Sequence, residues 1–150
     1  MSLFTGDRIL VPIDFSEDSF NALDETLNFV KDPNKITVIH VLSPLEAVDP
    51  AVIWATLNDE TRKKNIENAF YERYAKSLID NLKLEIKIGN PSLEIVDYAN
   101  KNNIDLIIIA SHGRTGLNRF LLGSVTERVV RLAKCPVLVW RDPHNNRNIE

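Results

Sequence analysis

The stretch from Gly113 to Ser124 contains the residues best suited to bind phosphate. Gly113 is followed by Arg114 and, after nine intervening residues, by Gly123-Ser124. A glycine lets phosphate oxygens approach the backbone, and the N–H groups at the start of a helix attract an anion together with the helix dipole. Arg114 could pair with the same phosphate. The spacing therefore predicts an anion site at the start of a helix that begins at Ser124.

The same residues also have an explanation that needs no ligand. Ser124 and Glu127 show the Ser-x-x-Glu spacing of a capping box, which would satisfy the N–H groups at the helix start from within the chain. An arginine beside a glycine, such as Arg114, is otherwise a solvated surface charge. Both interpretations of this loop are open from the residues alone.

Asp14 follows the first apolar run of the chain, Ile9–Ile13, and is a second candidate for ligand binding. Its carboxylate could accept hydrogen bonds from an amino group or a ribose hydroxyl. An aspartate in this position also commonly forms an Asx-turn or caps the helix that follows. By residue type the structural role is favoured, so the choice depends on where Asp14 lies in the fold.

Other kinds of site find little support in the residue pattern. His40, His112 and His144 show no spacing that gathers metal ligands, and no serine or cysteine is visibly paired with a histidine and an orienting acid. The chain lacks the Gly-x4-Gly-Lys-Ser/Thr of a P-loop and, after its first strand, the Gly-x-Gly-x2-Gly of a dehydrogenase. We therefore predict no catalytic residue and no metal ion held by the protein itself.

Five apolar strand candidates alternate with four helices along the chain. The strands are predicted over Ile9–Ile13, Ile36–Val41, Leu84–Ile88, Asp105–Ala110 and Val137–Trp140. Apolar residues recur at helical spacing in four sets: Phe20, Leu23, Leu27 and Val30; Ile66, Phe70, Tyr74, Leu78 and Leu82; Leu93, Val96 and Ala99; Val125, Val129 and Leu132. Residues 43–57 are predicted to form a long loop. Such alternation favours parallel strands with ligands at their carboxyl ends.

The composition is that of one globular domain. With 150 residues, 44% of them hydrophobic and 26% charged, the chain can bury a single core. Its net charge of −3 disfavours nucleic acid and anionic membranes as partners. The chain shows no apolar run long enough for a membrane span, no signal-peptide pattern and only one cysteine, Cys135, so we expect a cytoplasmic protein. Residues 1–7 and 141–150 are expected to be flexible ends.

Three motifs together make the sequence resemble the universal stress protein family from Arg8 to Arg141. They are Val11-Pro12-Ile13-Asp14-Phe15-Ser16, Gly89-Asn90-Pro91 with Ile95, and Ala110-Ser111-His112-Gly113 followed by Gly123-Ser124. Nucleotide-binding members show a Gly-x2-Gly-x9-Gly-Ser/Thr pattern; Ala110 stands at its first glycine, and the remaining positions match. The resemblance implies an open, Rossmann-like five-stranded parallel sheet, in the strand order 3-2-1-4-5, with helices on both faces.

The resemblance also implies a nucleotide site and a dimer. The family positions that bind an adenine nucleotide correspond here to Pro12, Asp14, Val41, Ala110, Gly113, Arg114, Gly123, Ser124, Val125 and Thr126. The ligand would be ATP, or AMP or ADP, with Mg²⁺ bound through the phosphates, and the main chain of Val41 would recognise the base edge. Family members pair their final strand across a two-fold axis, so a homodimer through Val137–Trp140 is expected; otherwise helices or the tail would cover this edge.

These features predict a dimeric stress-response sensor or regulator that binds ATP and acts on an unknown protein partner. Any hydrolysis would be slow, because no obvious base or water-positioning group accompanies the phosphate loop. A nucleotide-free dimeric scaffold with a vestigial site is the alternative, and Ala110 favours it. An ATP-consuming enzyme in which residues 43–57 close as a lid is a third hypothesis.

Overall fold

The computed structural model describes residues 6–45, 58–74, 78, 80–113 and 121–143. Within these residues one sheet contains five strands: β1 (Ile9–Pro12), β2 (Ile36–Leu42), β3 (Lys83–Ile88), β4 (Leu106–Ala110) and β5 (Val137–Trp140). Their order across the sheet is β3-β2-β1-β4-β5, and each neighbouring pair is parallel. The predicted strand order is therefore confirmed.

The described part of the chain forms four α-helices: α1 (Glu17–Val30), α2 (Asp59–Arg73), α3 (Pro91–Lys101) and α4 (Ser124–Leu132). Ser16 caps α1, because its Oγ accepts a hydrogen bond from the N–H of Ser19 at 3.2 Å. Asn90 caps α3 ahead of a proline at the first helical position, as its sequence predicts. No helix in these described ranges is long and apolar enough to cross a membrane.

The two faces of the sheet carry separate apolar clusters, because side chains alternate along each strand. On one face Val11 and Ile108 pack against Phe20 of α1 and Phe70 of α2. The cluster on the other face joins the sheet to α3 and α4 through Leu10, Ile39, Ile95, Ile107 and Val129. Helices thus lie on both faces, as predicted.

The second helix is shorter than its apolar repeat suggested. It ends at Arg73, and Tyr74 is its C-cap in an extended conformation. Leu82, predicted as the last residue of the stripe, is buried immediately before β3 and outside the helix. The fourfold spacing therefore extends past the end of this helix to Leu82, a core residue that precedes β3. Most of the loop predicted over residues 43–57 lies outside the described residues.

Two residues that were predicted to be buried are exposed. Leu93 of α3 is exposed because the helix turns Ile95, Tyr98 and Ala99 towards the sheet, and their spacing of three and four residues defines a different face. Leu132, the last residue of α4, is also exposed. The helices were thus predicted at the correct places, whereas their buried faces were predicted only in part.

Candidate functional site

A cavity of about 220 Å³ opens between the carboxyl ends of β1 and β4. The sheet changes its winding direction here, since β2 lies on one side of β1 and β4 on the other. Ile39, Ile95 and Ile109 line the cavity, which therefore opens on the face that carries α3 and α4. In open α/β sheets ligands bind in this crevice, because the loops after the two strands lead apart.

Asp14 lies at the mouth of this cavity and is held by the turn that starts α1. Its Oδ1 accepts a hydrogen bond from the N–H of Ser16 at 3.0 Å and another from the Ser16 hydroxyl. These contacts form the Asx-turn that the residue type predicted. The Asx-turn uses Oδ1, and Oδ2 points towards Gly113 in the segment after β4.

The loop after β4 approaches Asp14 at Gly113. A Cβ built on Gly113 would overlap the Oδ2 atom of Asp14, so only glycine leaves the carboxylate in its place. The segment that follows β4 is joined to the start of α4: the N–H of Gly123 donates to the carbonyl oxygen of Ser111 at 2.8 Å. The imidazole Nε2 of His112 also hydrogen-bonds to the carbonyl oxygen of Leu121. These contacts position the start of α4 beside Asp14.

The capping box predicted for Ser124 and Glu127 does not form at the start of α4. Gly123 is the N-cap, Ser124 is the first helical residue, and the N–H of Glu127 donates to the carbonyl oxygen of Gly123 at 2.9 Å. Ser124 lies one position too late to cap the helix, and within the described residues no side chain caps it. Gly123 and the first-turn residues Ser124 to Thr126 line the cavity, so the positive end of the helix dipole lies beside it.

Ala110 occupies an extended position in which a glycine is not required. It is the last residue of β4 and pairs with Trp140 of β5. Because side chains alternate along β4, its methyl group lies on the face of Ile108 and Trp140, opposite to the cavity-lining Ile109. Its carbonyl oxygen accepts a hydrogen bond from Oγ1 of Thr126 at 2.7 Å. Ala110 thus borders the cavity with its main chain.

The inner end of the cavity has aliphatic walls and one main-chain edge. Ile39 accepts a hydrogen bond from Ile13 on the β1 side, and Leu42 accepts one from Gly89 on the β3 side, each at 2.9 Å. Successive residues of a parallel strand direct their main-chain groups to opposite neighbours. The N–H and C=O of Val41 therefore point to the β1 side, beyond the end of the β1–β2 pairing.

Acidic groups gather beside the cavity at the start of α1. Burial raises the pKa of Asp18, the nearby carboxylate of Asp142 raises it further, and His112 opposes this shift. The side-chain amide of Asn21 donates to Asp142 at 3.3 Å.

Among the described residues no group of three or more histidine, cysteine, aspartate and glutamate side chains is arranged to hold a metal ion.

The described structure brings nine of the ten predicted site residues to this one cavity. They are Pro12, Asp14, Val41, Ala110, Gly113, Gly123, Ser124, Val125 and Thr126. Arg114, the tenth, lies outside the described residues. That a nucleotide contacts these residues stays a prediction.

Known proteins resemble this chain in both sequence and fold. A model of the universal stress protein family matches residues 6–141. The chain belongs to this family. Universal stress protein MJ0531 of Methanocaldococcus jannaschii is 33% identical over 140 residues, which cover 91% of this chain and 82% of that protein. The solved universal stress protein UspA of Lactobacillus plantarum is 30% identical, with a TM-score of 0.71 and coverage of 89% of this chain and 97% of that one.

More distant universal stress proteins share the fold and have been solved with nucleotides. One, in complex with cAMP, is 21% identical with a TM-score of 0.60, and the match covers 93% of this chain and 98% of that chain. Another, from Arabidopsis thaliana with AMP bound, is 17% identical with a TM-score of 0.61 and covers 94% and 95%. At these identities the likeness concerns the Rossmann-like fold.

Seven further residues line the cavity that were not predicted to bind the nucleotide, although four of them belong to the three sequence motifs. They are Ile13, Ser19, Ile39, Pro91, Ile95, Ile109 and His112. Strand alternation could have indicated Ile39 and Ile109, because they lie on the same face of the sheet as Val41, the face that carries α4. No pattern in the sequence could have indicated Ser19. It reaches the cavity because the Asx-turn places the start of α1 against Asp14. The N–H of Asp14 lies 3.4 Å from the Oγ of Ser19.

Proposed function

We propose that this protein binds an adenine nucleotide, ATP or alternatively AMP or ADP, in the cavity between β1 and β4. The observation that carries the proposal is the convergence of Asp14, Gly113 and the start of α4, which no described side chain caps, on one cavity. A carboxylate accepts from ribose hydroxyls, and the N–H groups of a helix start donate to phosphate. The two kinds of partner that a nucleotide requires are thus adjacent.

The inner end of the cavity suits an adenine base. Its walls are aliphatic, and the main chain of Val41 offers one donor and one acceptor at the same edge. Adenine presents the complementary pair, an acceptor at N1 and a donor at N6, whereas guanine presents a donor at N1 and an acceptor at O6. We therefore expect adenine to be preferred over guanine.

The size of the cavity divides the nucleotide into an enclosed and an open part. At about 220 Å³ it is smaller than the roughly 300–1,000 Å³ of sites that enclose a whole drug-sized ligand. Base and ribose would be enclosed, and the phosphates would lie at the mouth against Ser124 and Val125. Mg²⁺ would be held mainly through those phosphates and water.

Relatives support an adenine nucleotide as the kind of ligand. Universal stress proteins have been solved with AMP and with cAMP, both of which contain the adenine and ribose groups invoked for this cavity. Ala110 is no obstacle in the proposed complex, because strand alternation directs its methyl group away from the cavity. The alternative of a nucleotide-free scaffold loses the observation that favoured it.

The proposed role is that of a dimeric stress-response sensor or regulator with an unknown protein partner. The position of β5 supports the dimer: it is the outermost of the described strands, with β4 as its neighbour, and Leu138 on it is exposed. Any hydrolysis would be slow, because the proposed phosphate site relies on backbone donors. A cytoplasmic location stays a prediction from the sequence.

The first experiment identifies the nucleotide. Purified protein is denatured and the released small molecules are identified; ATP, ADP and AMP are then titrated calorimetrically into the stripped protein. Stoichiometric adenine nucleotide, or saturable binding to the stripped protein, would support the proposal. Neither co-purified nucleotide nor binding at millimolar concentration would contradict it and favour the scaffold. Multiple-turnover phosphate release would instead support the enzyme.

A pair of variants assigns the binding to this cavity. Asp14→Ala should abolish nucleotide binding and leave the dimer intact. Asp97→Ala is the matched control, because it also removes one carboxylate but lies on the outer face of α3, paired with Lys101 at 2.9 Å. Equal nucleotide affinity in both variants would place the ligand elsewhere.

A further inference from the structure

The side chain of His40, the neighbour of Val41 in β2, contacts the end of β1. Its Nδ1 lies 2.8 Å from the carbonyl oxygen of Ile13. A carbonyl oxygen only accepts hydrogen bonds, so this contact requires a proton on Nδ1. The ring of Phe15 meets the imidazole edge-on, with the ring centroids 5.0 Å apart, and thereby fixes its orientation. His40 does not line the cavity.

If the pairing of β1 with β2 continued by one more step, the carbonyl oxygen of Ile13 would accept a hydrogen bond from Val41. The N–H of Ile13 donates to the carbonyl oxygen of Ile39. In the repeat of a parallel ladder, the next bond would join the N–H of Val41 to the carbonyl oxygen of Ile13. The pairing of β1 with β2 ends before that point, at Pro12 opposite Ile39.

We propose that His40 is a positioning residue for base recognition: by holding the Ile13 carbonyl, it ends the β1–β2 ladder and leaves the main chain of Val41 to bind the base. This inference rests on the proposed adenine-nucleotide site. The site would then prefer adenine to hypoxanthine. Adenine offers an acceptor at N1 and a donor at N6, which match the N–H and C=O of Val41, whereas hypoxanthine offers a donor at N1 and an acceptor at O6.

The first test uses the full chain without nucleotide. Long-range ¹H–¹⁵N NMR reports which imidazole nitrogen of His40 carries a proton, and amide exchange reports the protection of Val41. We expect a proton on Nδ1 and a Val41 amide that exchanges at least about tenfold faster than that of Ile39, which lies within the ladder. A neutral ring protonated only on Nε2, or equal protection of the two amides, would overturn the inference.

The second test compares two variants of His40 by titration with AMP and IMP. His40→Leu removes the donor, so the Ile13 carbonyl becomes available to Val41; in the free variant the Val41 amide should exchange more slowly. AMP affinity should fall about tenfold, as expected for one lost hydrogen bond in a binding site. His40→Asn places an amide donor near the position of Nδ1 and should retain AMP affinity within about threefold of wild type.

The outcomes separate this inference from the proposed function. Wild type should prefer AMP to IMP, and His40→Leu should lose most of that preference. If His40→Leu binds AMP as wild type does, the role of His40 is wrong while the nucleotide site stands. If wild type binds no adenine nucleotide, the proposed function fails, and the Val41 exchange rates in the free protein still decide whether His40 ends the ladder.

Discussion

Gly113 lies so close to Asp14 that a Cβ on the glycine would overlap the Oδ2 atom of the carboxylate. This contact joins the loops that follow β1 and β4, two strands that are neighbours in the sheet and about a hundred residues apart in the chain. Gly113 does not have a positive φ, so any residue could adopt its backbone conformation. What limits the side chain at position 113 is the space left by Asp14. The glycine is therefore required for close approach and not for a special backbone conformation.

Gly113→Ala is expected to displace the Asp14 carboxylate. The added methyl group should weaken nucleotide binding at least about tenfold. It should lower the free energy of unfolding by up to about 1 kcal/mol, because the overlap is with the end of the Asp14 side chain, which can turn away. Calorimetric titration and urea unfolding measure the two effects. The same substitution in an Asp14→Ala background should cost clearly less stability, because the clashing atoms are gone. An additive double variant would show that the strain has another source.

Ala110→Gly restores the first glycine of the family pattern and tests where the methyl group points. Because that methyl group lies on the α1 side of β4, nucleotide affinity should change by less than about threefold. The free energy of unfolding should fall by about 0.5–1 kcal/mol, the usual cost of glycine in a strand. A gain of tenfold or more in affinity would mean that Ala110 crowds the ligand after all.

Thr126→Val removes the hydroxyl that satisfies the carbonyl oxygen of Ala110. Both groups are buried, so the lost bond should reduce the free energy of unfolding by about 1–3 kcal/mol. Thr26→Val is the matched control: Thr26 is equally buried and its Oγ1 donates to Ala22 at 2.7 Å. The Ala22 carbonyl keeps its helical N–H partner, so this control should lose less stability. Equal losses in urea unfolding would contradict the assigned role of Thr126.

Leu138→Lys is expected to convert the proposed homodimer into a monomer. Leu138 is 45% exposed on β5, and a lysine there would place a charge in an apolar contact between edge strands. Leu93→Lys provides the control, because Leu93 is 49% exposed on α3, away from that edge. Light scattering after size-exclusion chromatography gives the masses. A dimer that survives in Leu138→Lys, or a wild-type monomer, would argue against pairing through β5.

Much of the fold could be predicted from local patterns. Continuous apolar runs such as Leu106–Ala110 identify strands buried on both faces, and caps such as Asn90 before Pro91 identify helix starts. The buried face of a helix was harder to predict, as Leu93 illustrates, because an apolar residue at helical spacing can lie on either side of the core-facing stripe. Only packing against the sheet selects the stripe.

The sequence by itself determined the family, the strand order through that family, and the residues that meet at the switch point, because motifs record residue type and spacing. The tertiary structure decided how those residues act. It shows that Ser124 is one position too late to cap α4, that the Ala110 methyl group faces α1, and that Asp14 forms an Asx-turn while its Oδ2 faces Gly113. The direction of the Ala110 methyl group and the contact between Asp14 and Gly113 depend on residues far apart in the chain, whose distances are set only when the sheet has formed.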